Sequence, residues 1–181
     1  EQGIDILALS DHNSARNLEP FAQACELCSI LPLYGLEVTT IEEVHVLTLF
    51  PHIEDARQFG SFIEFLLPPI KNNPKLFGKQ LVVDIEGEIL EEVDMMLGSA
   101  SSLGFSDVVE EAISRDALVI PAHIDRFANS VLANLGFLPR YPYSALEAIH
   151  PHSLTETLSL SVLTASDAHS LDQVGRRKCF I

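Results

Sequence analysis

Residues 4–12 read Ile-Asp-Ile-Leu-Ala-Leu-Ser-Asp-His, an apolar run that ends in two side chains able to bind a metal ion. Three later apolar runs end in the same way. Glu37 follows Leu33–Leu36, His123 follows Leu118–Ala122, and Asp167 and His169 follow Val162–Ser166. Because functional sites in parallel sheets and barrels form at the carboxyl ends of the strands, these side chains are expected to converge. The four runs therefore predict both the fold class and the place of the site.

Helical patterns separate these runs. Apolar side chains recur at helical spacing over residues 17–30 and again over 53–67, where two prolines end the second helix. Ser106 precedes a third helix, predicted over residues 107–115. Shorter strands are predicted in a hairpin over 81–91 and over 117–121, 145–149 and 161–165. The repetition of strand, helix and strand predicts an α/β fold with a mainly parallel sheet.

Composition limits the classes of function. The 181 residues, 47% of them hydrophobic, suffice for one domain over residues 1–181 with a substantial core. With 26 acidic and 11 basic residues the net charge is −15, which argues against a nucleic-acid coating protein and a membrane-surface helix. No apolar run approaches the roughly 18 residues of a membrane span. An enzyme that binds a nucleotide or a short strand remains open, because it needs only local positive charge.

Three cysteines are too few for a disulfide framework, which predicts a reducing, cytoplasmic environment. Cys25 and Cys28 have the spacing of a redox or zinc pair. They also continue an apolar helical stripe from Leu18 and Phe21, and the sequence has no second cysteine pair. We therefore interpret them as small apolar side chains of a helix.

His45 lies near the start of its own strand-like run, not at the end. If residues 33–39 and 44–50 form a hairpin that turns around Ile41, Glu37 lies opposite His45. Side chains so opposed have Cβ atoms about 4.5–5.5 Å apart, close enough to share one metal ion. The alternative is a hydrogen bond between the two side chains on the sheet surface.

Each candidate taken alone has an ordinary structural explanation. Asp11 and His12 suit a helix N-cap, Glu37 a solvated strand end, and His123 a buried histidine with its hydrogen bonds satisfied. The Asp167–His169 segment suits a turn before a short helix. The recurrence of metal-binding side chains at four strand ends favours a shared site, because chance would scatter them along the chain.

Four segments in this order resemble the PHP (polymerase and histidinol phosphatase) family, and its stand-alone bacterial metal-dependent phosphoesterases in particular. The segments are residues 3–13 (GIDILALSDHN), 34–40 with 44–46 (YGLEVTT and VHV), 120–126 (IPAHIDR) and 165–170 (ASDAHS). The resemblance implies a distorted, TIM-like, seven-stranded βα barrel. It also implies up to three divalent ions, Zn, Mn or Fe, at the carboxyl ends of the strands, and hydrolysis of phosphate esters.

Carried over motif by motif, the resemblance implies seven metal ligands. They are Asp11, His12, Glu37, His45, His123, Asp167 and His169, with Glu37 bridging two ions and with Glu37, Asp167 and His169 in catalytic roles. The family's first motif, a His-x-His, has no match. Its place in the family lies upstream of residue 1, so we expect the first strand to be missing and the domain to be truncated at its N-terminus. We interpret His150 and His152, which share that spacing, as a loop pair.

The chemistry expected of this site is attack of a metal-activated water on a phosphate ester. The expected substrate is a small phosphomonoester, a nucleotide or a short oligonucleotide. Arg126 is the candidate phosphate contact, or else forms a salt bridge to Asp125 or another carboxylate. A non-catalytic metal-binding PHP module is the main alternative function. A hydrolase of C–N bonds is less favoured, because no lysine follows the key strands. The sequence leaves the oligomeric state open.

Overall fold

The computed structural model describes residues 3–151 and 160–179. Eight strands and five helices occur in these ranges. In chain order they are β1 (Ile6–His12), α1 (Leu18–Cys28), β2 (Leu31–Thr39), β3 (His45–Phe50), α2 (Ile53–Phe65), α3 (Pro74–Phe77), β4 (Leu81–Val83), β5 (Ile89–Glu92), α4 (Phe105–Ser114), β6 (Leu118–Pro121), α5 (Val131–Leu135), β7 (Leu146–Glu147) and β8 (Val162–Leu163). A short 3-10 helix covers Leu171–Gln173. No helix in the described ranges has the length and apolar character needed to cross a membrane.

The central sheet has four strands in the order β1-β2-β3-β6. Strands β1 and β2 are parallel, whereas β3 runs antiparallel to both β2 and β6. The second half of β2 is buried, with Leu36 and Val38 fully enclosed, because strands flank it on both sides and helices cover it. The polar residues at the ends of these strands are therefore held in place by the central sheet.

Helices α2 and α4 bury their apolar sides in the main core. Phe59 and Ile63 of α2 and Phe105 and Val108 of α4 are almost completely buried, in a cluster that includes Leu36 and Phe50. Each such side chain contributes about 1.5–3 kcal/mol through loss of contact with water.

Helix α4 begins two residues earlier than expected, and Ser106 is not its cap. The Asp107 carboxylate accepts a hydrogen bond from the backbone N–H of Gly104, which stabilises this earlier start.

The prediction of a seven-stranded βα barrel is wrong for this structure. The described strands form the four-stranded sheet and two separate pairs, β4 with β5 and β7 with β8, and they close no barrel. Segments β6 and β7 lie side by side, yet no regular ladder joins them. Pro121 has no N–H, and the N–H of Val119 bonds the Ser144 hydroxyl instead of a backbone carbonyl. The sheet is also mixed, not mainly parallel.

The β2–β3 hairpin was expected, but its register differs by two residues. Thr39 pairs with His45, and Glu37 pairs with Leu47. The loop has three residues, 41–43, and Glu43 adopts a left-handed conformation (φ 59°) that closes it. Because strand side chains alternate with a period of two, this shift leaves Glu37 and His45 on the same face as diagonal neighbours.

Gly60 lets α2 approach the loop that follows β1. A Cβ atom at this position would lie 2.6 Å from the Cβ of Ala15. We predict that Gly60→Ala lowers the free energy of unfolding by about 1 kcal/mol. The helix gains about 1 kcal/mol in propensity, whereas overpacking costs about 1–3 kcal/mol. Urea unfolding measures the change, with Ser61→Ala on the exposed side of the same helix as control. A Gly60→Ala variant more stable than the wild type would contradict the packing argument.

Candidate metal centre

Three strands bring the central residues of the candidate site together. His12 and Glu37 are register partners on the parallel strands β1 and β2, near the carboxyl ends of both. Strand β3 runs in the opposite direction, so its first residue, His45, lies at the same edge of the sheet. The antiparallel course of β3 therefore explains why a residue at a strand start joins residues at strand ends.

Glu37 is the centre of the arrangement. Its Oε1 atom lies 2.7 Å from Nδ1 of His45 and 3.1 Å from Nε2 of His123, and the residue is 7% exposed. Burial raises the pKa of this carboxyl, but the hydrogen bonds to His123 and His45 outweigh burial and hold the pKa well below its usual range. Glu37 is therefore a carboxylate throughout the physiological pH range.

Three imidazole rings, those of His12, His45 and His123, lie beside this carboxylate, and the ring of His169 lies next to that of His12. Ring centroids of His12 and His45 are 5.0 Å apart, those of His45 and His123 5.2 Å, and those of His12 and His169 5.9 Å. Burial lowers the pKa of His12, which favours its neutral form. A neutral imidazole is the form that binds a metal ion.

The donor set fits a divalent metal. One potential ligand atom each from His12, Glu37 and His45 lies within 4.8 Å of the other two. Within the described part of the chain, Nδ1 of His12 and Nδ1 of His123 are buried without a hydrogen-bond partner. An unpaired buried polar atom costs about 1–3 kcal/mol. Imidazole nitrogens with a carboxylate form a set typical of Zn, Mn or Fe.

Asp167 and His169 lie at the rim of the cluster. Asp167 Oδ2 accepts a 3.1 Å hydrogen bond from Nη1 of Arg126, and Asp167 Oδ1 lies 3.6 Å from Nδ1 of His169. The His169 side chain is 62% exposed.

Arg126 was expected either to contact a phosphate or to form a salt bridge. The structure contains a salt bridge, with Asp167 and not Asp125 as the partner. Asp125 instead accepts hydrogen bonds from the backbone N–H groups of residues 149 and 150.

Asp11 is set apart from the ring cluster. Its Oδ2 atom accepts a 3.3 Å hydrogen bond from Asn17, and burial raises its pKa. It neighbours His12 on β1, where successive side chains point to opposite faces. The structure thus brings six of the seven expected ligands together and leaves Asp11 beside them. Of the other histidine pair, His152 lies outside the described residues.

Sequence reasoning missed two buried residues at the site. Glu147 on β7 is 3% exposed, and its Oε2 accepts a 3.0 Å hydrogen bond from the backbone N–H of His123. Burial raises the pKa of Glu147, and the charges of Glu37 and Asp167 raise it further. The available signal was a carboxylate inside the apolar run 145–149, whereas the other candidate carboxylates follow their runs.

Asn13 is the second missed residue, and it fixes the end of β1. Its side chain accepts a hydrogen bond from the N–H of Thr39 and donates to the carbonyls of Leu97 and Ser99. Asn13 has φ 52°, and His123 (φ 29°) and Asp167 (φ 46°) also adopt positive values. Such conformations in residues other than glycine cost of order 1–3 kcal/mol each and cluster at functional sites.

The comparisons with known proteins give a likeness of fold. No family model matches the chain, and no curated protein sequence matches it significantly. The lesion-specific endonuclease Q of Pyrococcus furiosus superposes with a TM-score of 0.61 at 18% identity, over 97% of this chain and 42% of that one. Endonuclease Q in complex with a 27-mer duplex bearing an abasic lesion at the active site gives a TM-score of 0.59 at 18% identity, over 93% of this chain and 42% of that one.

These TM-scores show that the chain shares the fold of a part of endonuclease Q. It spans less than half the length of either similar structure. At 18% identity the likeness carries no residue roles across, so the chemistry must be argued from this chain's own side chains.

We predict that Glu37→Gln weakens binding of Zn²⁺ or Mn²⁺ by more than about 100-fold. A neutral amide does not balance the charge of the ion, and loss of even an outer partner of a ligand costs 10–100-fold in affinity. Titration calorimetry on metal-free protein measures the change. Glu43→Gln is the matched control, because Glu43 is an exposed residue of the same hairpin. Equal affinities for the two variants would exclude Glu37 from the metal centre.

The depressed pKa of Glu37 also predicts how stability depends on pH. A carboxyl with a lowered pKa in the folded state stabilises the protein above its ordinary value of 4.5, and that stability is lost as the pH falls below it. Between about pH 5 and 3, metal-free wild-type protein should therefore lose more stability than Glu37→Gln. Urea unfolding at several pH values tests this. Parallel pH profiles for the two proteins would show that Glu37 does not carry the effect.

Proposed function

We propose that this protein hydrolyses phosphate esters of nucleotides or nucleic-acid strands with the help of bound divalent metal ions. The observation that carries the proposal is the buried Glu37 carboxylate, whose single oxygen Oε1 contacts both His45 and His123 beside His12. We further propose that residues 1–181 form one domain of the PHP type, as the four sequence segments indicate. The endonuclease activity of both similar structures supports this class of reaction.

The side chains divide into a buried and an exposed group. His12, Glu37, His45 and His123 would hold the ions from the floor of the site, and Asp167 and His169 would complete the set from the rim. A divalent ion bound there supplies a water of lowered pKa and positive charge opposite the phosphate oxygens. Glu37 offsets half of the charge of such an ion, Arg126 pairs with the charge of Asp167, and the neutral imidazoles add none, so the site stays net positive. That balance suits an anionic substrate.

Arginines offset the acidic surface beside the rim. Arg126 bonds the Asp167 carboxylate, and the Nε atoms of Arg176 and Arg177 donate to the carbonyls of Ser166 and Ala165 at 2.6 and 2.7 Å. Surface charges farther than about 8 Å are largely screened at physiological ionic strength. The positive charge of these three residues therefore acts locally even though the chain carries a net −15.

Arg126 is the best placed of the three to bind a phosphate. Its guanidinium carries five N–H donors in a planar fork, and one of them bonds Asp167. The same fork matches two oxygens of a phosphate group. We propose that Arg126 orients the substrate phosphate and holds Asp167 in place at the same time.

A hydrolysis assay tests the proposed function. Metal-free protein is supplemented with Mn²⁺, Zn²⁺ or Fe²⁺ and given a nucleoside monophosphate, bis-p-nitrophenyl phosphate or a short single-stranded oligonucleotide. We expect at least one metal to restore hydrolysis, a chelator to abolish it, and Glu37→Gln to lower kcat/KM by more than about 100-fold. Glu43→Gln should retain the wild-type rate.

Two results would contradict the proposal. Tight metal binding without turnover of any of these substrates would favour the non-catalytic metal-binding module. Turnover that survives complete removal of metal would place the chemistry elsewhere.

A further inference from the structure

A cleft of about 400 Å³ opens beside the candidate metal centre. Asp11 and His12 line it, and His12 also belongs to the cluster around Glu37, so the cleft and the cluster share this residue. The rest of the lining includes the last residue of α3, strand β4 with the residue before it, and the segment after β5, residues 93–98. A group attached to a phosphate held at the metal centre can enter this space.

The walls of the cleft are mainly apolar. Phe77 lines it at the end of α3 and is 65% exposed, so its ring is accessible to a ligand. Leu81, Val82, Val93 and Leu97 line it as well. A concave, apolar surface with an accessible aromatic ring is typical of sites that bind a planar organic group.

The longer polar side chains of the cleft are already engaged in holding its walls. Asn17 donates to Asp11 and to the carbonyl of Leu81 and accepts from the N–H of Val83. Gln80 donates to the carbonyls of Val93 and Met95 and accepts from the N–H of Leu97.

Arg16 is engaged as well. Its guanidinium bonds the carboxylates of Glu64 and Glu91. Asn17, Gln80 and Arg16 therefore stabilise the walls of the cleft and have few hydrogen-bond donors and acceptors left for a ligand. Away from Asp11 and His12, recognition in the cleft therefore rests on shape and apolar contact.

We propose that this cleft holds the nucleobase of a nucleotide substrate, stacked on Phe77, while the phosphate lies at the metal centre. The volume is in the range of small-molecule sites, which begin at roughly 300 Å³. Recognition by stacking tolerates any base, because every base has a π-face. The protein therefore discriminates little among bases. This inference rests on the proposed function for the place of the phosphate, but not for the stacking contact itself.

Fluorescence of 2-aminopurine riboside tests the stacking contact without any turnover, because this nucleoside carries no phosphate. The full chain, loaded with Zn²⁺, is titrated against the probe, whose emission is quenched when it stacks on an aromatic ring. We expect saturable quenching, about tenfold weaker binding for Phe77→Leu, and near wild-type binding for Phe77→Trp. The leucine variant keeps apolar area and removes the ring.

Phe65→Leu is the matched control, because Phe65 is also exposed but lies on α2 and does not line the cleft. Adenosine, guanosine, cytidine and uridine should displace the probe with affinities within about tenfold of one another. Because Phe77 is exposed, its replacement should leave the unfolding midpoint unchanged, and this is measured alongside.

The outcomes separate this inference from the proposed function. Binding that depends on the ring at position 77, in a protein that hydrolyses no phosphate ester, supports the cleft and contradicts the proposed function. Absence of saturable quenching, or equal affinities for Phe77→Leu and Phe65→Leu, overturns the cleft assignment. Preference for one nucleoside by far more than tenfold overturns recognition by stacking alone.

Discussion

The buried carboxylate of Glu37 is the interaction on which the rest of the site depends. An isolated carboxylate at this depth would be costly, and the hydrogen bonds at 2.7 Å to His45 and 3.1 Å to His123 offset that cost. The three residues come from β2, from β3 and from the turn after β6, so one oxygen atom joins three parts of the chain. Removing this carboxylate would leave buried imidazole nitrogens without a partner. The same negative charge makes the position suitable for a cation.

The fold places these groups through a few local constraints. The parallel pair β1 and β2 aligns His12 with Glu37, and the tight three-residue loop returns β3 so that His45 meets them. Asn13 then ties the end of β1 to β2 and to the loop at residues 97–99. That loop also borders the cleft beside the candidate metal centre, so the hydrogen bonds of one asparagine connect the site to the wall of the neighbouring cleft.

The sequence carried much of this arrangement, and the errors have physical causes. Apolar runs ending in polar residues located β1, β2, β6 and β8, because burial of strand interiors leaves a clear signal. The predicted hairpin register was wrong by two residues. The length of the loop depends on the left-handed conformation of Glu43, which the pattern of apolar residues does not indicate. The closed barrel was wrong because the described strands form one four-stranded sheet and two separate pairs. Between β6 and β7, Pro121 and the Ser144 hydroxyl interrupt the ladder that the apolar pattern permits. Glu147 was missed because the predicted strand continued to residue 149, whereas β7 ends at Glu147.

Anomalous diffraction from crystals soaked in Zn²⁺ or Mn²⁺ shows directly whether Glu37 binds a cation. We expect a peak within about 2.0–2.2 Å of a Glu37 carboxylate oxygen and of an imidazole nitrogen of His12 or His45. The hydrogen bond between Glu37 and His45 should be replaced by coordination to the same ion. A saturated crystal with peaks only at surface carboxylates, and with Glu37 still hydrogen-bonded to His45 and His123, would contradict the account.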